Sequence, residues 1–309
     1  INLQNFYNNS PEPVKRLTQL LVTLCDTINP AIAYFSAWSM INGALGKQVS
    51  ILNKGHELYP AFWYVGLTPS GTGKSTIQKA ARAIKAALRS RRFSSPFQLM
   101  SSKFTMSALF SDYGEGVSDS AWSALTDTEK ALKKDEMEQK CIRKAGRLMI
   151  SDEFGHYLGT ILRSGIEGGE AGSILKLADS GAEIHGDTKS SGKRLIYDAC
   201  VGITGLSQPS VWAENFDPDA NVDSGLAGRF LMASYEDYTL NVPTLNMTEQ
   251  AVFDGITDVF NKLLGKTRGF DNRIAHRVVC EVPDPQDERG QIFDALLQTP
   301  ELAAIKKHG

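Results

Sequence analysis

The sequence predicts an α/β fold of three layers, in which helices cover both faces of a sheet. Three apolar runs read as buried strands, at 61–67, 147–151 and 197–204. The segment after the first run has the spacing of an amphipathic helix, with apolar residues at Ile77, Ala81, Ile84 and Leu88. Strands that alternate with helices are typical of a parallel sheet. The 309 residues suffice for one such domain with additions, or for two domains.

Composition narrows the class of protein. The chain is 42% hydrophobic and 22% charged, with a net charge of −2, so a nucleic-acid-binding surface has to be a local patch. The four cysteines lie far apart without a C-x-x-C pair, which argues against a zinc site or a disulfide framework. No apolar run approaches the ~20 residues that span a membrane, and no signal peptide is visible. We therefore expect a cytoplasmic protein without membrane contact.

Three segments are predicted along the chain. Residues 1–60 form an N-terminal helical segment with a lead-in hairpin, 61–240 the α/β core, and 241–309 a C-terminal extension rich in helix. In the N-terminal segment, helices are predicted around 14–24 and at Ala31–Ala44, the second closed by Gly46. In the C-terminal extension, the sequence predicts a helix at Thr248–Leu264 that Gly265 closes, a strand at Ile274–Val282 and a last helix from Gln286.

The first strand is followed by a glycine-rich turn that leads into a helix. After Thr68 its residues are Pro69, Ser70, Gly71, Thr72, Gly73, Lys74, Ser75 and Thr76. This is the context of a phosphate-binding P-loop, or Walker A motif, with Thr68 at the first glycine position of G-x-x-x-x-G-K-[ST]. The glycines let backbone N–H groups converge on phosphate, Lys74 would reach the β- and γ-phosphates of ATP, and Ser75 would ligate Mg²⁺. The alternative is a glycine-rich turn that binds nothing.

The second apolar strand ends in Asp152-Glu153, the expected second half of a P-loop ATPase site. Asp152 would hold the Mg²⁺ shell, and Glu153 would polarise the attacking water. Any strand end can supply such a pair, but its position after an intervening helix and strand makes it informative. Glu153 and Lys74 are accordingly predicted as catalytic residues.

Two later turns complete the predicted site. The third apolar strand ends in a polar turn, where Thr204 or Gln208 would sense the γ-phosphate; the turn also reads as a helix start with Ser207 as its cap. Arg229 follows a turn of small residues and precedes a strand, which suits a catalytic arginine finger acting on a neighbouring subunit. A surface arginine or a salt bridge is the alternative.

Residues 186–194 are polar and locally basic, with a group formed by Lys189, Lys193 and Arg194. They are candidates for nucleic-acid contact, and an ordinary β-hairpin or linker is the alternative. The charge-rich stretch 119–143 is predicted as a solvated helical insertion with Trp122, Leu125, Leu132 and Met137 on its apolar side.

These motifs together resemble the P-loop domain of the primase-helicase-like proteins of phages, plasmids and bacteria. The resemblance spans residues 14–240, through the helical pair, the turn, the Asp-Glu strand, the turn 204–209 and Asp223-Ser224-Gly225-Leu226-Ala227-Gly228-Arg229-Phe230. The chain departs from the family at Ser207 and Ser224. The resemblance implies a RecA-like or AAA+-like ATPase core, an oligomer and a link to the replication of mobile DNA.

Three functions remain open at this stage. The first is an ATP-driven helicase-like motor, a homo-oligomeric ring (a hexamer is one possible size) on single-stranded or forked DNA. The second is an ATP-dependent switch, such as a loader or a defence-system ATPase, that assembles on ATP without unwinding DNA. The third, a small-molecule kinase, is disfavoured because an Asp-Glu strand suits water activation better than acceptor binding.

Overall fold

The structure is a computed structural model. It describes residues 2–53, 56–89, 97–100, 102–103, 105–142, 144–162, 172, 175–178, 182–186, 192–216, 227–236, 239–266 and 278–281. The strands run, in chain order, over β1 Val49–Asn53, β2 His56–Leu58, β3 Trp63–Leu67, β4 Phe97–Leu99, β5 Glu115–Val117, β6 Gly146–Ser151, β7 Glu183–His185, β8 Lys193–Tyr197, β9 Val201–Ser207, β10 Phe230–Ser234 and β11 Val278–Glu281. The helices are α1 Leu3–Asn9, α2 Glu12–Leu24, α3 Pro30–Leu45, α4 Lys74–Arg89, α5 Met106–Asp112, α6 Asp119–Ser123, α7 Asp127–Ile142, α8 Phe154–Leu162, α9 Pro209–Asn215 and α10 Glu249–Lys266.

A five-stranded parallel sheet forms the centre of the fold, in the order β10-β3-β9-β6-β4. From β3 the chain crosses to the far edge at β4, returns through β6 and β9, and then places β10 on the other side of β3. All five strands point the same way, so their carboxyl ends share one edge. In open α/β sheets ligands bind outside that edge, where the strand order reverses.

Helices cover both faces of this sheet. Apolar side chains of α2, α3, α4 and α10 pack with Tyr64, Leu148 and Ile150 on one face. Those of α8 and α9 pack with Trp63 and Met149 on the other. Neighbouring residues of one strand thus serve opposite faces, as the two-residue period of a strand requires. The predicted α/β fold, with a central sheet flanked by helices, is confirmed.

Helix α3 packs against all five strands of the central sheet. The side chain of Asn29 accepts hydrogen bonds from the N–H groups of Ala31 and Ile32, with Pro30 at the first helical position. Its cap at the other end is Gly46, as predicted. Because α3 is buried along the sheet, the N-terminal segment contributes directly to the core.

Two small sheets flank this core. β5, β8 and β7 form an antiparallel sheet, and β1 pairs with β2 and β11. The predicted single insertion 119–143 is two helices, α6 and α7, and α7 packs on β8. Met137 is buried there as expected, but Leu132 is 67% exposed, so its assignment to an apolar side was wrong.

The predicted strand 197–204 was wrong in its bounds. Tyr197 closes β8, and β9 begins at Val201 and continues to Ser207. Asp198 lies between them with a φ of 52°, a left-handed conformation that cannot continue a strand. Periodicity alone does not reveal such a break.

The C-terminal elements agree with expectation where they are described. The Thr248 side chain caps α10, which continues past Gly265 to Lys266. β11 falls inside the predicted strand 274–282, and the helix predicted from Gln286 lies outside the described residues. No helix in the part of the chain described above combines the length and apolar character needed to cross a membrane.

Candidate functional site: a cleft at the carboxyl edge of the sheet

The glycine-rich turn, residues 68–76, follows β3 at the carboxyl edge of the sheet. Gly71 and Gly73 have φ angles of 81° and 77°, which side chains other than glycine rarely adopt. A Cβ atom at Gly71 would meet nothing within 4 Å, whereas one at Gly73 would lie 3.0 Å from both Cys25 Sγ and Ile28 Cβ. Gly71 therefore faces open space, and Gly73 lets the connection between α2 and α3 approach the turn.

Thr68 is the residue that departs from the usual glycine pattern, and it is built into the turn. It is buried, and its N–H donates to the Ser207 carbonyl at 2.9 Å. Its hydroxyl is hydrogen-bonded to that of Thr72, which in turn donates to the Pro69 carbonyl at 2.7 Å. Hydrogen bonds of Thr68 thus connect the turn to the end of β9 and link the first residue of the turn to Thr72.

Helix α4 starts at Lys74, so Lys74 and Ser75 lie in its first turn. The 16-residue helix directs free N–H groups and the positive end of its dipole toward the space beyond the sheet. The Gln78 side chain donates to the Ile150 carbonyl at 3.1 Å, which fixes α4 against β6. Asp152 and Glu153 follow β6 directly and are thereby held beside the start of α4.

A cleft of about 390 Å³ opens at this edge. It is large enough for a small-molecule ligand. Its lining residues are Cys25, Thr27, Gly71, Gly73, Lys74, Ser75, Asp152, Glu153, His156, Ser207, Gln208 and Val211. The structure thus brings together seven predicted residues from three separate segments: Gly71, Gly73, Lys74, Ser75, Asp152, Glu153 and Gln208. The predicted Pro69, Ser70, Thr72 and Thr76 belong to the turn without lining the cleft.

The charges of the cleft act on Lys74. Partial burial lowers the pKa of its ammonium group, while the negative charges of Asp152 and Glu153 work in the opposite direction. Removal from water outweighs this attraction, so the two carboxylates compensate the burial of the ammonium group only in part. Glu153 also lies 3.6 Å from Lys103 Nζ, an ion pair exposed enough to be weak.

The donor set fits Mg²⁺ better than a metal held by protein alone. In the described part of the chain, no three His, Cys, Asp or Glu side chains form a cluster that could hold a metal ion. Mg²⁺ needs no such cluster, because it keeps several waters and binds through one or two carboxylates together with substrate phosphates. The Ser75 hydroxyl and the Asp152 carboxylate, both in the cleft, are ligands of this kind.

Cys25 and Thr27 line the cleft from the connection between α2 and α3, and sequence reasoning missed both. Burial alone would raise the pKa of the Cys25 thiol. Hydrogen bonds from the Thr27 and Thr76 hydroxyls, and from the N–H groups of Thr27 and Ile28, outweigh burial and lower that pKa. No local pattern could have placed these residues, because their position depends on how α3 packs across the sheet.

His156, Ser207 and Val211 were also missed as lining residues. His156 lies in the first turn of α8, three residues after Glu153. This closeness in sequence to a predicted site residue was the signal that could have indicated it. Ser207 was predicted as the cap of the following helix. It is instead the last residue of β9, and its hydroxyl donates to the Gln208 carbonyl at 3.1 Å. The helix cap is Gln208, without a capping hydrogen bond from its side chain.

The two sensor candidates lie in different surroundings. Gln208 lines the cleft just after β9. Thr204 lies three residues inside β9, is fully buried, and donates its hydroxyl to Ser39 Oγ on α3 at 2.9 Å. The strand end that the sequence suggested at Thr204 is therefore at Ser207, which lies in the cleft beside Gln208.

Arg229 lies at the amino-terminal ends of the strands of the central sheet, whereas the cleft of its own chain lies at their carboxyl ends. It immediately precedes β10, whose first residue, Phe230, pairs with Trp63, while Ser234 at its end pairs with Leu67. The glycine-rich turn begins after Leu67. The length of β10, about 16 Å at 3.3 Å per residue, therefore separates Arg229 from the end of the sheet at which the turn lies. Arg229 therefore does not join its own cleft.

Two of the basic candidates, Lys193 and Arg194, do not line the cleft. Lys193 and Arg194 are the first residues of β8 and pair with Val117 and Gly116 of β5. β7 and β8 form the antiparallel hairpin that the sequence left open as an alternative. Lys189 lies outside the described residues.

Comparison with known proteins adds no relative: no protein-family model matches this chain, and no curated protein matches it.

Proposed function

We propose that this chain is a Mg²⁺-dependent ATPase with a RecA-like or AAA+-like P-loop core, acting as a helicase-like motor. The observation that carries the proposal is the meeting of Lys74, Ser75, Asp152 and Glu153 in one cleft, at the start of a helix and the carboxyl edge of a parallel sheet. A lysine and N–H groups at one side of a cleft, with carboxylates at the other, suit a bound triphosphate.

Each group has a definite task in this proposal. The N–H groups of the turn and of α4 bind phosphate oxygens, and Lys74 neutralises the β- and γ-phosphates. Ser75 and Asp152 would hold Mg²⁺, which when bound would supply positive charge to the phosphates. Glu153 accepts a proton from the attacking water, and Gln208 orients groups at the terminal phosphate.

The proposal includes a homo-oligomeric ring, in which Arg229 of one copy acts at the cleft of the next. Arg229 is remote from its own cleft, so a role at the transition state requires the cleft of a second copy. An exposed apolar strand edge supports such contact: Leu231 and Met232 of β10 are 44% and 39% exposed. DNA contact by Lys193 and Arg194, with Lys189, belongs to the same proposal.

Substitutions in the cleft test the hydrolytic site. Lys74→Ala should abolish ATP binding, whereas Glu153→Gln should bind ATP and fail to hydrolyse it. Lys85→Ala is the matched control, because Lys85 is exposed on the same helix and lies outside the cleft. Calorimetric binding and phosphate release are the measurements. Normal turnover in the Lys74 and Glu153 variants would refute the assignment.

Mixing two inactive variants tests the arginine. Arg229→Ala should lower turnover by roughly 10³-fold or more while sparing ATP binding. Mixed with Lys74→Ala it should regain activity, because intact Arg229 of one copy then faces an intact cleft of the other. Strand displacement by the unmodified protein, with DNA-stimulated hydrolysis, distinguishes the motor from a switch that assembles on ATP.

A further inference from the structure

His156 lines the cleft, and the proposed mechanism leaves its side chain without a task. It lies on α8, whose residues Phe154, Tyr157, Leu158 and Ile161 are buried in the core. Gly155 and Gly159 face α9 at close range. His156 and Thr160 form the remaining, exposed side, and His156 is nearest to the cleft because it lies one turn closer to the start of the helix.

The packing of α8 fixes the direction of this side. A Cβ atom at Gly155 would lie 2.3 Å from Ser207 Oγ, so the backbone of α8 approaches the Ser207 side chain too closely for any residue other than glycine to fit unless atoms shift. α8 cannot rotate about its axis without separating this contact or exposing its apolar face. The orientation of His156 is therefore a consequence of core packing.

The imidazole of His156 has no hydrogen bond or ion pair with any residue in the part of the chain that the structure describes. The backbone carbonyl of His156 accepts from the Thr160 hydroxyl at 3.1 Å, which leaves the ring unengaged. An exposed histidine in a cleft that also contains Lys74, Asp152 and Glu153 can donate an N–H to an anion, whether the ring is neutral or charged.

The order of groups in the cleft indicates which part of a ligand the ring meets. If the proposed function is correct, Lys74 reaches the β- and γ-phosphates and Glu153 faces the water that attacks the γ-phosphate. A group one helical turn beyond Glu153, lining the same cleft, lies on the γ-phosphate side. We infer that His156 donates a hydrogen bond to the terminal phosphate of a bound nucleoside triphosphate, and so makes the cleft prefer triphosphate over diphosphate.

Equilibrium binding of two nucleotides tests this inference, with Mg²⁺ present. The probes are ADP and the non-hydrolysable β,γ-imido analogue of ATP, titrated calorimetrically into the unmodified protein, His156→Ala and His156→Gln. A hydrogen bond to a charged group makes the analogue bind about tenfold more weakly to His156→Ala, with ADP changed less than twofold. His156→Gln, which keeps an N–H donor, should recover part of the loss.

The matched control is His185→Ala. His185 is 57% exposed on β7, outside the cleft, and pairs with Glu183 at 2.9 Å, so its loss should alter neither affinity. Equal weakening of both nucleotides by His156→Ala, or no weakening of either, would overturn the inference while the proposed function stands. Failure of the unmodified protein to bind either nucleotide would overturn both.

Discussion

Gly155 is the point at which α8 meets the end of β9, and its replacement by alanine gives a sharp test of the geometry of the cleft. The ideal Cβ position lies 2.3 Å from Ser207 Oγ, 3.1 Å from Val211 Cγ1 and 3.3 Å from Ser207 Cβ. Rotation of the Ser207 hydroxyl would break its hydrogen bond to the Gln208 carbonyl, and the Ser207 Cβ atom, on a buried strand, would still lie 3.3 Å away. We expect Gly155→Ala to destabilise the protein and to displace Ser207.

The magnitude follows from two opposing effects. Alanine is favoured over glycine in a helix by up to about 1 kcal/mol. Overpacking a core contact costs about 1–3 kcal/mol, and a separation of 2.3 Å belongs near the upper end. The net loss in the free energy of unfolding for Gly155→Ala should therefore be about 1–2 kcal/mol.

A double-mutant cycle separates this contact from helix propensity. Ser207→Ala alone loses the hydrogen bond to the Gln208 carbonyl, worth about 1 kcal/mol. Combined with Gly155→Ala, Ser207→Ala removes the closest overlap. The change in the free energy of unfolding of the double variant should therefore differ from the sum of the two single changes by about 1–2 kcal/mol. Urea unfolding followed by circular dichroism measures each free energy.

Gly159→Ala on the same helix is the control for this cycle. A Cβ there would lie 2.5 Å from Asn215 Cγ and 3.0 Å from Asn215 Cβ, on the short helix α9. Gly159→Ala should therefore also destabilise the protein, but its effect should be independent of Ser207→Ala. Additive effects of Gly155→Ala and Ser207→Ala, or a Gly155 variant as stable as the unmodified protein, would refute the close contact.

Three further predictions concern the cleft and the sheet edge. Bound ATP should slow alkylation of Cys25 by N-ethylmaleimide, with Cys25→Ser identifying the modified site by mass spectrometry; unaltered labelling would exclude ligand from that wall. Burial lowers the pKa of Lys74 below 10.5, so ATP affinity should fall as the pH rises through this lowered pKa, before an ordinary lysine loses its proton. The free energy of unfolding should rise over the same pH range, because the unfolded chain there binds more protons than the folded protein. Titrations between neutral pH and this value check both signs. Leu231→Glu should weaken ATP-dependent assembly in sedimentation measurements, and Leu132→Glu, at another exposed leucine, should leave it unchanged.

The half of the cleft that contains Lys74, Ser75, Asp152 and Glu153 was predictable because its signals are local. An apolar run followed by a glycine-rich turn fixes Lys74 and Ser75 at a helix start, and the same logic places Asp152 and Glu153 at a strand end. Parallel strands bring such ends to one edge without any further information. The departure at Thr68 could be noticed in the sequence, but its hydrogen bonds to other segments could not.

The other half depended on long-range packing. Cys25 reaches the cleft because α3 lies across the whole sheet, which is set by contacts distant in sequence. The start of β9 was misplaced because a single residue, Asp198, adopts a left-handed conformation. That conformation is held by partners from another part of the chain, since the Asp198 carboxylate accepts from the Tyr59 hydroxyl and lies 3.5 Å from Lys47 Nζ.

β9 is held at both ends and in the middle, and this bears on how the proposed motor would work. Just before its start, Asp198 is fixed by the nearly buried Lys47; along its length, Thr204 is bonded to Ser39 of α3; at its end, Ser207 abuts α8. A strand so constrained presents fixed dipoles to the cleft, which is the preorganisation that catalysis requires. β9 is connected to the hairpin β7–β8 by residues 198–200 alone. If hydrolysis moves that hairpin, the motion would reach β9 through this short connection, where the Lys47–Asp198 ion pair lies.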